Sequence, residues 1–183
     1  MRNAGTAFAF LIFAGFVTTV IAMHWYPAAL VRSSDVNGGR AHIVWEFQIN
    51  RVADSAITYY KNALENASSS LTITASIKKD AYEKSANTII ENILVHDAIR
   101  ARGLEVETET LIGKKVAEYN NQPNFSVAVS LVYGLDDSGF IDLIARPEAE
   151  REILKEKNNW DDAGLAEWLT AEKKAGLIVR FSK

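Results

Sequence analysis

Lys78 to Leu104, KKDAYEKSANTIIENILVHDAIRARGL, decides how the rest of the chain is read. Ala86, Ile90, Ile93, Leu94, Ala98 and Ala101 recur three and four residues apart, the spacing of one face of an α-helix. Gly103, directly after Arg102, supplies the residue type that ends a helix in a left-handed turn. A helix from about Lys78 to Arg102 is therefore predicted, long enough to organise a helical body around itself.

Working outward, the same spacing predicts a helix from Trp45 to about Leu64, with Phe47, Ile49, Val52, Ala56, Tyr59, Tyr60 and Ala63 as its apolar residues. Glu107 to Asn120 reads as a helix with Leu111, Ile112, Val116 and Tyr119 facing inward. Phe125 to Tyr133 reads as a short helix closed by Gly134. Asp136-Asp137-Ser138 starts another, carrying Phe140, Ile141, Leu143 and Ile144, which Pro147 must end or restart because proline does not fit a helix interior. Pro147 to Lys157 is the renewed helix, and Asp161 or Asp162 caps the last one, whose buried face is Leu165, Trp168 and Leu169. Ala28 to Arg32 is an extended segment leading to the turn Asn37-Gly38-Gly39, and Ile43 to Trp45 can return as a brief strand. Leu177 to Phe181 reads as a terminal strand. The fold class is mainly α, an amino-terminal transmembrane helix followed by a multi-helix domain closed by two short paired strands, with residues 28–36 pairing with 177–181.

Ala4 to Met23 carries no charge over twenty residues. At about 1.5 Å per residue such a helix is about 30 Å long, the thickness of a bilayer's hydrocarbon core. Arg2 precedes it and His24, Trp25 and Tyr26 follow, so the amino terminus is expected in the cytoplasm with an aromatic belt outside. Residues 1–26 are read as a signal anchor and 27–183 as an extracytoplasmic domain. A cleaved signal ending at Ala22, releasing a secreted protein, is the alternative. Outside the first 26 residues, 19 basic residues face 23 acidic ones, a net charge of −4 without a basic patch, which argues against nucleic acid as a partner. The chain has no cysteine, so disulfides, thiol catalysis and thiolate zinc sites are excluded.

The residues argue for no enzyme. His24, His42 and His96 are the three histidines, and His96-Asp97 are helical neighbours that face different ways and make no site by themselves. Nucleophile elbows, phosphate-binding glycine loops and His-Glu-x-x-His are missing. No catalytic, metal-ligating or cofactor-binding residue is assigned.

Val36-Asn37-Gly38 followed by Glu46-Phe47 resembles the opening of the chaperone domain in the extracytoplasmic SurA and PrsA foldase group. Ile89-Ile90, Ile93-Leu94, Ala98 and Gly103-Leu104 stand in the order of that domain's later helix, and Trp168-Leu169 through Phe181 is similar to its returning helix and strand. The family's parvulin isomerase domain would be inserted before the last helix, and Lys157 to Asp161 leaves no room for it. Ala41-His42-Ile43-Val44 is similar to a parvulin opening but lacks the other parvulin motifs. The resemblance implies a membrane-tethered holding chaperone for unfolded or newly exported polypeptides, without isomerase activity or cofactor. Phe125, Val129, Tyr133 and Phe140 are its candidate peptide-binding residues, or else they fill the core. An adaptor docking one envelope or transport partner is the competing function.

Overall fold

A computed structural model describes Thr19 and residues 23–34, 40–66 and 73–181. Most of the proposed membrane segment and the Asn37-Gly38-Gly39 turn lie outside the described residues. Among the described residues, no helix is long and apolar enough to cross a membrane.

Strands β1 (Pro27–Arg32), β2 (His42–Trp45) and β3 (Leu177–Arg180) form one antiparallel sheet in the order β2-β1-β3. Ala29 faces Arg180 and Arg32 faces Leu177, so the beginning and end of the domain pair, over a shorter stretch than 28–36. The sheet has three strands rather than two because Ile43 and Val44 also return beside β1. Helices α1 (Glu46–Asn66), α2 (Ala75–Ala101), α3 (Glu105–Asn120) and α4 (Phe125–Tyr133) follow in order. Then come α5 (Asp137–Phe140), a π turn (Ile141–Ala145), α6 (Arg146–Asn158) and α7 (Asp162–Ala175).

The main core gathers Val31 and Val44 of the sheet, Ile49 of α1, Ile90, Leu94, Val95, Ala98 and Ile99 of α2, Leu154 of α6 and Leu165 and Leu169 of α7. Helix α2 is buried on more than one face because α1, α6, α7 and the sheet all pack against it. The face of α1 differs from expectation. Ile49 and Ala53 are buried, whereas Phe47, Tyr59 and Tyr60 are exposed. Pro147 also behaves differently from the predicted break. The backbone stays right-handed helical from Phe140 through Arg146, and the Arg146 N–H reaches back five residues to the Ile141 carbonyl. This wider turn admits the proline at the start of α6 without stopping the helix.

The junction of α7 with β3 leaves no spare volume. A Cβ on Gly176 would sit 2.7 Å from the Arg32 carbonyl oxygen and 3.1 Å from that of Glu172, both backbone atoms that cannot rotate away. Gly176→Ala should push β3 off β1 and cost about 1–3 kcal/mol, the usual range for overpacking. Gly113, exposed on α3 with nothing within 4 Å of such a Cβ, is the control. Gly113→Ala should raise stability by about 0.5–1 kcal/mol through helix propensity. Urea titrations of the two variants test the pair, and equal effects would mean that the Gly176 junction yields.

Candidate functional site

Two features stand out, and both lie along α1. The first is a cleft. Phe47, Arg51, Ser55 and Thr58 are spaced by four, four and three residues and so share one face of α1. Phe47 and Arg51 border two adjoining hollows. One, of about 390 Å³, lies between α1, α2 and the π turn with α6, and has Val52, Ile89, Ile93, Leu143 and Pro147 among its apolar lining. The other, of about 500 Å³, is more polar and runs past Asp54, Thr58 and Asp136 to Tyr133 and Gly134.

The walls of the apolar hollow carry two histidine–carboxylate pairs. His42 Nε2 lies 2.9 Å from Asp97 Oδ1, and His96 Nδ1 lies 2.7 Å from Glu150 Oε1. Both carboxylates are buried. The hydrogen bond to Glu150 holds the His96 imidazolium above its ordinary value of 6.5, more than burial lowers it. Buried beside this hollow, the Asn92 side-chain oxygen has no hydrogen-bond partner among the described residues. At the edge of the hollow Arg146 pairs with Glu109, and beyond it Lys115 bridges Glu148 at 3.3 Å and Glu152 at 2.9 Å, tying α3 to α6.

The second feature is α4 itself. Its nine residues, FSVAVSLVY, carry no charge, and apolar side chains occupy both faces. The inner face makes a small second core. Tyr119 stacks on Phe125 with ring centroids 5.5 Å apart, and Phe140 meets both rings edge-on at 5.3 and 5.2 Å. Val129 and Phe140 are 3% and 6% exposed. All four residues proposed from the sequence therefore come together in one cluster, Val129 and Phe140 buried and Phe125 and Tyr133 partly buried.

The open face of α4 belongs to other residues. Val127 and Leu131 are 56% and 67% exposed. Tyr59 stacks on Tyr133 at 5.4 Å and meets Tyr60 edge-on at 5.9 Å, and Asn62 donates to the Leu131 carbonyl, so α1 extends the same surface. The signal for this face lies in the composition of α4. In an uncharged nine-residue helix with only Ser126 and Ser130 as polar residues, apolar side chains are left uncovered when only one side has a neighbour.

Among the described residues, no group of three or more His, Asp or Glu side chains could hold a metal ion. His42 and His96 face buried carboxylates, and these bonds tie β2 and α6 to α2 around the cleft. No protein-family model, curated protein or solved structure matches the chain.

Proposed function

We infer that this chain is a membrane-tethered, extracytoplasmic holding chaperone that binds unfolded polypeptide segments without covalent chemistry or isomerase activity. The observation that carries the reading is the uncharged helix α4, whose Val127 and Leu131 stand open beside Tyr59 and Tyr60. Apolar surface of this kind marks an interaction site. A few exposed apolar side chains suit weak contacts with many sequences. The antiparallel pairing of β1 with β3 agrees with the foldase resemblance, in which a last helix and strand return to the start of the domain. Residues 4–23, as an anchor, would raise the local concentration of a weak binder near chains emerging from the membrane.

The test is suppression of aggregation by the full chain in lipid nanodiscs, with two unrelated unfolded proteins at several ratios. Both should be protected, and the double variant Val127→Ser/Leu131→Ser should weaken protection several-fold. Its thermal stability should hold, because both side chains already lie in water. Protection of neither protein rejects the chaperone and favours the adaptor, which would copurify with one partner at fixed ratio.

A further inference from the structure

His96 and Asp97 are adjacent on α2, yet their side chains reach in different directions. Asp97 takes its bond from His42 on β2, and His96 bonds Glu150 on α6. The two pairs therefore tie β2 and α6, both of which contribute to the lining of the apolar hollow, to the same turn of α2. We propose that His96–Asp97 is a two-armed clamp whose Glu150 arm is a pH-sensitive latch on α6, releasing that wall of the hollow as the pH rises. The proposal goes beyond the chaperone reading, since it does not depend on what the hollow holds.

The charges around His96 come from every neighbouring element. Glu150 and Arg146 face it from α6, Asp142 from the π turn, Arg51 from α1 and His42 from β2, while Asp97 and Arg100 flank it on α2. Glu150 is the decisive one. Its side chain is 4% exposed, whereas the imidazole is 42% exposed and exchanges protons with solvent. Arg146 and Arg151 also attract Glu150, but Arg146 is paired with Glu109, and Arg151 lies 3.9 Å from Glu91.

A protonated His96 donates a charge-assisted hydrogen bond to Glu150. Its neutral form can still donate from one ring nitrogen, but that bond is no longer charge-assisted and holds the carboxylate less strongly. The sign follows from the direction of the shift. A histidine raised above 6.5 in the folded state adds stability that is complete below that value and is lost as pH rises through the folded pKa. The latch is closed in mild acid and loosened in mild alkali.

Hydrogen exchange on the full chain in detergent micelles, corrected for the intrinsic pH dependence of exchange, tests this between pH 5.5 and 8.5. Protection of residues 146–158 should fall several-fold as the pH rises. In His96→Gln it should be low and flat. An equal fall in the variant, or no fall in the parent chain, overturns the proposal. Should His96→Gln not fold, imidazole NMR of the parent chain decides. Titration of His96 above 6.5, with methyl signals of Leu143 and Ile153 moving in step, supports the latch; titration at or below 6.5 overturns it.

Discussion

Glu172→Ala is expected to undo the junction that closes the domain, lowering stability by about 3 kcal/mol through loss of hydrogen bonds to a buried charge. Glu172 lies in the last turn of α7, buried against the end of β1. Its Oε1 accepts from the Ser33 hydroxyl at 2.8 Å and from the Ser34 N–H, and its Oε2 accepts from the Ser34 hydroxyl at 2.8 Å. Bonds to an ionised carboxylate are the strong class, and these three join residues almost 140 positions apart in sequence. Alanine removes the acceptor while Ser33 stays 4% exposed, leaving a buried hydroxyl to be desolvated without this partner. Thermal unfolding followed by circular dichroism should show a drop of roughly 6–12 °C at about 2–4 °C per kcal/mol. Glu172→Gln keeps one carbonyl acceptor and should lose about half as much. Amides of β3 should lose protection before those of α2, because the junction holds the strand directly. A loss below about 1 kcal/mol in the alanine variant would show that β3 is held by its ladder to β1 alone.

What was legible in the sequence is what local chemistry decides. Gly103 and Gly134 adopt positive φ angles at +66° and +65°, ending α2 and α4 where their positions suggested. Asp136 and Asp161 accept from the N–H groups of Gly139 and Gly164, so both aspartates start helices as read. The terminal strand was recognisable as an apolar run with Ile178 and Val179 after Gly176, and its pairing with the start of the domain was the arrangement that the foldase resemblance implied.

What was not legible depends on neighbours far along the chain. Phe47, Tyr59 and Tyr60 fit the helical period of α1 as well as Ile49 does, and only the arrival of α2 on one side decides which of them is covered. His42 meets Asp97 across 55 residues, and His96 meets Glu150 across 54. Neither pairing has a local signature, which is why the histidines carried no role in the sequence reading. For α4 the apolar residues were identifiable, but which of them stay open depends on the side that the rest of the chain covers, and it covers Val129 while leaving Val127 and Leu131 exposed.

Leu94 and Ile93 turn this distinction into the second large prediction. Both belong to the same apolar run of α2 and would be scored alike by periodicity. Leu94 is 0% exposed in the main core, whereas Ile93 is partly buried and lines the hollow beside α1 and α6. Leu94→Ala should cost about 3–5 kcal/mol, because lost transfer free energy and an unfilled cavity add together at a position enclosed on all sides. Ile93→Ala removes atoms that already border open space, and should cost about 1–2 kcal/mol, in proportion to the smaller area taken from contact. Chemical denaturation of both variants gives the comparison, with an unchanged dependence on denaturant as the sign that the same fold is melting. A large gap between them places the hollow outside the structural core, where a side chain can be exchanged at modest cost and an apolar guest accommodated. Equal and large losses would mean that the hollow closes in solution and that Ile93 is core, which would remove the cleft as a place for anything to bind and leave only the outer face of α4.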